Sequence, residues 1–187
     1  MNVVSEVLRE QLELIFKVWG MPAEFAELTS RVMIDTDLRG IDSHGISMLS
    51  VYNNWRKMGR IIFDAPITVV TDLPSLSLID GGAGLGHPIG IKAMEVAINK
   101  ARETGIGMVT VRQSNHFGAA GYYARMALEH DLIGLAMTGT PNSAVVPTFG
   151  KMNMLGTNPI AFAAPTRRNP PFVLDMATST IAVGKLA

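Results

Sequence analysis

Gly107-Met108-Val109-Thr110-Val111-Arg112-Gln113-Ser114-Asn115-His116-Phe117-Gly118 is the stretch on which the architecture turns. Its first five residues are rich in β-branched side chains and read as a strand. From Ala119 to Glu129 the pattern becomes helical. A strand that passes into a helix through a polar, glycine-bounded connection is the building unit of an α/β layered fold. Side chains at the end of such a strand project into the crevice where α/β proteins do chemistry, which makes His116 the first candidate for it. A second imidazole, His44 in Asp42-Ser43-His44-Gly45, stands in a similar frame between two helical segments.

Upstream of this stretch the chain begins with helices. Leu8, Leu12, Ile15 and Trp19 recur at helical spacing, and Gly20 ends that run. Pro22 suits the first turn of a second helix whose stripe is Phe25, Leu28 and Val32, with Gly40 as its C-terminal cap. A third helix is expected from Ile46 to Met58, before Gly59. Strands are expected at Ile67–Val70, Leu76–Ile79, Gly107–Val111, Ile133–Met137, Ile160–Ala164 and Phe172–Leu174. Pro88 to Arg102 reads as a helix with Ile91, Met94 and Ile98 turned inward. Thr178-Ser179-Thr180 reads as a last helix start, and Ile181 to Ala187 add about two turns before the chain stops without cap, polar tail or proline. That ending reads as a fragment or a truncated gene product.

The 187 residues suit one domain or one and a half, and 48% hydrophobic content is ample for a core. Lys+Arg and Asp+Glu balance at 16 each, so no basic face invites nucleic acid. With no cysteine there is no disulfide framework, thiolate metal site or cysteine nucleophile, which is compatible with a reducing cytosol. Charges at Glu6, Arg9, Glu10, Glu13 and Lys17 exclude a signal peptide, and the longest apolar tract, Leu132 to Met137, is too short for a bilayer. A cytoplasmic protein that uses neither membrane nor nucleic acid is expected.

Gly81-Gly82-Ala83-Gly84-Leu85-Gly86 follows a strand and precedes a helix, as a dinucleotide fingerprint would. The G-x-G-x-x-G spacing fails, because its last position falls on His87 or Ile89. The run reads as a flexible turn. For His116 the bland alternative is a structural histidine bonded to a nearby carbonyl. Asn115, Gly118 and Gly121 favour an open acid/base site, since free imidazole titrates at about 6.5. Asp42 or Ser43 is a sensible N-cap for the helix after His44. His87 reads as a turn residue, and His130 as a cation at a helix end. No histidine pair has helical metal-ligand spacing, so no metal is expected. No G-x-S-x-G elbow is present, and Ser43 and His44, as sequence neighbours, are expected to point apart, against a serine hydrolase. Gly156-Thr157-Asn158-Pro159 before a strand, and Asp175-Met176-Ala177-Thr178-Ser179 after one, are either turns and caps or holders of ribose hydroxyls and phosphate.

Taken together and in order, Asp37-Leu38-Arg39-Gly40-Ile41-Asp42-Ser43-His44-Gly45, Ser114-Asn115-His116-Phe117-Gly118, Gly156-Thr157-Asn158-Pro159-Ile160-Ala161-Phe162 and Asp175-Met176-Ala177-Thr178-Ser179 resemble the type-2 malate/L-lactate dehydrogenase family. The resemblance implies an NAD-dependent oxidoreductase, with NADP also possible, that works without a Rossmann fold on a small 2-hydroxy or 2-oxo acid. It implies proton transfer by the residue matching His116 in some members and His44 in others, sometimes with Ser43. It implies cofactor contacts at Thr140, Asp175, Met176, Ala177 and Thr178, a pocket-shaping Asn158, and a homodimer. The expected fold is then α/β, with an N-terminal helical unit over 1–62 and part of a mixed-sheet cofactor-binding domain over 63–187. Many members carry an arginine four residues after the histidine matching His44, suited to gripping a substrate carboxylate. Here that position is Met48, leaving Arg39, Arg56 or Arg112 as substitutes. Family chains are nearly twice this length, so the alternative reading is a truncated, non-catalytic remnant of such an enzyme.

Overall fold

Helix α1 (Ser5–Val18) and helix α2 (Ala23–Leu38) are separated by Gly20, whose φ of +93° lets the chain reverse where a side chain would be strained. A computed structural model of the chain describes residues 3–140 and 144–180. Two compact units emerge from it, Met1–Ala119 and Ala120–Ala187.

The first unit continues from α2 into two short 3₁₀ turns, Asp42–His44 and Ile46–Met48, and then into α3 (Leu49–Lys57). Strands β1 (Thr68–Asp72) and β2 (Leu76–Gly84), helix α4 (Gly86–Thr104) and strand β3 (Met108–Ser114) complete it. Its leading helices close over a core of Leu12, Phe16, Met21, Met33, Tyr52, Ile61, Phe63 and Leu85. Phe16 is fully buried and meets Trp19 and Phe63 edge-on at 5.7 and 6.0 Å, while Trp19 and Phe63 stack at 6.1 Å. Burying such a ring is worth roughly 1.5–3 kcal/mol.

β1 runs antiparallel to β2, and β2 runs parallel to β3 through the α4 crossover. Ile89 and Ala93 of α4 pack on Ile79, Val109 and Val111 of the sheet. At Gly107 the chain passes so close to α4 that a Cβ would overlap the Ala97 carbonyl. The glycine-rich run is not the flexible turn expected from its composition. Gly81 to Gly84 extend β2, with a bulge between the pairs Asp80↔Arg112 and Gly84↔Ser114. A Cβ on Gly81 would stand 2.7 Å from Ile89 Cδ1 and 2.9 Å from the Gln113 carbonyl. The glycines allow close packing of strand on helix rather than mobility.

The second unit holds α5 (Ala120–Met126), continued by a 3₁₀ turn at Ala127–His130, and an antiparallel sheet of β4 (Gly134–Met137), β5 (Ile160–Ala164) and β6 (Phe172–Met176) in that order. Gly134, Ala161 and Ala163 are buried on one face, and Gly134 lies so near the Ala124 carbonyl that no Cβ fits. The opposite face carries Leu135, Phe162 and Leu174 in register, with Met137 and Met176 beside them.

The α/β class with leading helices and a mixed sheet therefore holds. Three expectations change. The helix expected from Ile46 opens as a 3₁₀ turn, and α3 proper begins at Leu49. Neither Asp42 nor Ser43 caps it, because both lie inside a 3₁₀ turn of their own. Thr178 to Thr180 form bends rather than a helical turn, and the expected helix over 181–187 lies outside the described residues.

Candidate active site

His44 and His116, the two histidines singled out from their flanking residues, come together with ring centroids 5.2 Å apart. His44 sits on the 3₁₀ turn after α2 and His116 on the connection after β3, so the approach is made by the tertiary fold alone. Ser43 Oγ is hydrogen-bonded to His44 Nδ1 at 2.9 Å. The expectation that these neighbours point apart is therefore wrong here. A 3₁₀ turn has about three residues per revolution, which swings adjacent side chains closer than a strand would.

His116 is held from several sides. Its carbonyl accepts the Gly86 N–H at the start of α4 at 3.0 Å. The Asn115 side-chain amide donates to the carbonyls of Ala83 at 2.8 Å and Gly84 at 3.2 Å, fastening the connection to the end of β2. On the ring itself, Nδ1 is bonded to the Tyr52 hydroxyl at 2.7 Å and receives the Gly118 N–H at 3.3 Å. Burial, reinforced by the charge of His44, pushes the His116 imidazole down to about 4. It is a neutral ring near pH 7.

Two residues at this cluster escaped the reading of motifs. Tyr52 is fully buried, and that burial raises its phenol well above the ordinary tyrosine range. A buried tyrosine on a helix demands a hydroxyl partner, and that signal was available in α3. His87 was expected in a turn but lies in the first turn of α4, fully buried, its ring 5.7 Å from that of Tyr52. Neither of its nitrogens has a partner among the described residues. Burial, with His116 and His44 nearby, holds it well below the usual histidine range. Asp37, which opens the first of the quoted motifs, braces the neighbouring turn. Its carboxylate accepts the Ile46 N–H at 2.8 Å, satisfying the backbone that Asp42 or Ser43 was expected to cap. Burial holds its carboxyl above the usual carboxylate range, an effect partly offset by that N–H and reinforced by Asp42.

In the second unit, Thr140, Thr157, Asn158 and Thr178 form one polar cluster. Asn158 Oδ1 accepts the Thr140 N–H at 3.0 Å, Thr140 Oγ1 accepts the Thr157 N–H at 3.1 Å, and the Thr157 carbonyl accepts the Thr178 N–H at 2.8 Å. A Cβ on Gly156 would run into Thr140 Oγ1 and reach within 2.8 Å of Asn158 Oδ1. Asp175 belongs to β6 rather than to a helix start, and its Oδ2 accepts the Gly121 N–H at 2.9 Å in the first turn of α5. Met176 ends β6, and Ala177 follows it.

A family model of malate/L-lactate dehydrogenases matches residues 3–187. The chain belongs to the malate/L-lactate dehydrogenase family. A malate dehydrogenase of Pyrococcus abyssi is 50% identical over 167 residues, covering 89% of this chain and 46% of that protein. An L-sulfolactate dehydrogenase of Methanocaldococcus jannaschii is 45% identical over 172 residues, covering 92% of this chain and 49% of that one. The solved malate dehydrogenase of Pyrococcus horikoshii superimposes with a TM-score of 0.94 at 44% identity, covering all of this chain and 53% of its own. The chain thus spans about half the length of the curated relatives it matches.

Family membership implies a nicotinamide dinucleotide, and the polar cluster of the second unit fits one. The glycine at 156 lets Thr140 and Asn158 draw together, since a Cβ there would run into Thr140 Oγ1. Asn158 spends its carbonyl oxygen on Thr140, and no hydrogen bond among the described residues uses its two amide hydrogens. Amide and hydroxyl groups of this kind suit the ribose and phosphate oxygens of such a ligand. The substitutes suggested for a family arginine at position 48 are engaged elsewhere. Arg39 pairs with Asp35 at 3.0 Å and Arg112 with Asp80 at 2.8 Å. Arg56 donates to Asn53 and lies 5.2 Å over the Trp19 ring. Met48 itself packs against the core of the first unit.

Proposed function

We propose that the protein is an NAD(P)-dependent dehydrogenase that moves a hydride between nicotinamide and the oxygen-bearing carbon of a small 2-hydroxy or 2-oxo acid. The convergence of His44 and His116 carries this reading. Oxidising an alcohol needs groups that accept the hydroxyl proton and steady the oxygen, and a pair of imidazoles can divide those tasks. His116, His44 and Ser43 supply this chemistry. Thr140, Asn158, Asp175, Met176, Ala177 and Thr178 hold the dinucleotide, which when bound provides the two-electron hydride chemistry. His87 and Tyr52 keep the ring of His116 in dry surroundings.

Relatives are named for malate, L-sulfolactate and L-lactate, all 2-hydroxy acids, and one from Chromohalobacter salexigens is named for NADP(+). That supports the substrate class and the use of a nicotinamide dinucleotide. The resemblance further supports a homodimer, and the absence of cysteine is compatible with a cytoplasmic setting. Among the described residues no helix is long and apolar enough to cross a membrane.

Titration of the purified chain with NADH and NADPH, followed by nicotinamide fluorescence, tests the reading. Enhancement with either nucleotide, and NADH or NADPH consumption with oxaloacetate, pyruvate or sulfopyruvate, is the expected result. Silence with both nucleotides would overturn the reading of this chain as a dehydrogenase.

A further inference from the structure

We infer that Tyr52 is a positioning residue that locks His116 into one tautomer, so that its ring meets the substrate oxygen as a neutral N–H donor. The inference rests on the dehydrogenase reading and assigns separate tasks to its two imidazoles. A backbone N–H can only donate, so the Gly118 N–H directed at His116 Nδ1 marks that nitrogen as the unprotonated one. The Tyr52 hydroxyl, 2.7 Å from the same nitrogen, leads independently to the same assignment. Tyr52 is completely buried, and no other hydrogen bond among the described residues uses its hydroxyl. If the phenol accepted from Nδ1–H, its own hydrogen would be left buried without a partner, a costly arrangement. The phenol therefore donates, Nδ1 accepts twice, and the single ring proton sits on Nε2.

Nε2 takes no part in any hydrogen bond among the described residues, yet it is not one of the sealed polar atoms, in contrast to both nitrogens of His87. It is thus the end of the ring left for a ligand. The ionisable groups facing the ring are His44, Tyr52 and His87. A positive charge on His44 disfavours a second one on His116, and Tyr52 stays un-ionised. A neutral ring already carrying its proton on Nε2 is a poor acceptor there. It polarises a carbonyl oxygen, or steadies the developing alkoxide, by donation. The proton that changes hands then belongs to His44. In reduction the carbonyl oxygen would take one proton from the His44 ring, while the dinucleotide, when bound, would supply the hydride to the carbonyl carbon.

Long-range ¹H–¹⁵N correlation spectra of the ¹⁵N-labelled chain decide the matter without nucleotide or substrate, so they stand apart from the test of the dehydrogenase reading. His116 is assigned by the signal lost in His116→Asn. The expected spectrum shows a pyridine-type Nδ1 and a pyrrole-type Nε2 that persist from about pH 5 to 8. In Tyr52→Phe the two resonances move toward the averaged positions of a freely exchanging imidazole, and the ring titrates at a higher pH. A protonated Nδ1 in the unaltered chain overturns the inference, as does a Tyr52→Phe spectrum identical to it. Should Tyr52→Phe fail to fold, the unaltered chain still decides the tautomer.

Discussion

The carboxylate of Asp37, in the last turn of α2, accepts the backbone N–H of Ile46 at 2.8 Å. That bond spans the Ser43–His44 turn and holds its two ends together. The carboxyl group also stands where a Cβ on Gly45 would lie, so the glycine and the acid fit as a pair.

Asp37→Ala removes the acceptor and leaves a half-buried N–H without a partner. A loss of about 1–2 kcal/mol in urea unfolding is expected, typical of a lost cap or a charged hydrogen bond. Asp37→Asn keeps an acceptor oxygen and should lose less. Equal losses for the two variants would show that the carbonyl-type oxygen is not what matters.

Gly45→Ala forces the Asp37 side chain out of its place against the turn. Overpacking of this kind costs about 1–3 kcal/mol. The variant should also lower nucleotide-dependent turnover, since the turn carries His44. Combined with Asp37→Ala, which clears the space, the two losses should sum to less than their separate values, a coupling measurable in a double-mutant cycle.

Stability should fall on mild acidification. His116 is held near 4 and His87 lower than the usual range, both chiefly by burial, whereas an unfolded histidine titrates at about 6.5. Between these values the unfolded chain binds more protons than the folded one, so stability rises with pH there. The contribution is complete above about pH 6.5 and is lost as pH drops toward 4. Melting temperatures across that interval should decline steadily, and His116→Gln should flatten part of the slope. A level profile would mean that these rings are charged or exposed in the folded state.

His116→Ala should reduce turnover by about two to four orders of magnitude, the range for losing a positioned acid/base or donor group. Nicotinamide binding should survive, because the polar cluster at Thr140 and Asn158 lies in another unit of the chain. Unaltered kcat in this variant rejects the catalytic assignment.

Much of the fold was legible in local patterns. The Leu8, Leu12 and Ile15 spacing marked α1, Gly20 and Gly40 marked helix ends with φ of +93° and +75°, and β5 runs over Ile160–Ala164 as expected. Such features depend on neighbours a few positions away, where backbone preference and hydrophobic period act directly. The glycine run at Gly81 was misread for the same reason. Its composition matches a mobile turn, and only the nearness of Ile89 and the Gln113 carbonyl explains why side chains are absent there.

The histidines divide along the same line. Their polar, glycine-bounded frames identified His44 and His116 as candidates from neighbouring residues alone. Their pairing, the fully buried place of His87, and the hydroxyl of Tyr52 sixty-four positions before His116 belong to the packed molecule. Hydrogen-bond partners and burial are set by groups distant along the chain, and burial in turn sets whether an imidazole carries charge. Residue type and local order named the chemistry; proximity across the fold chose the protonation state in which it operates.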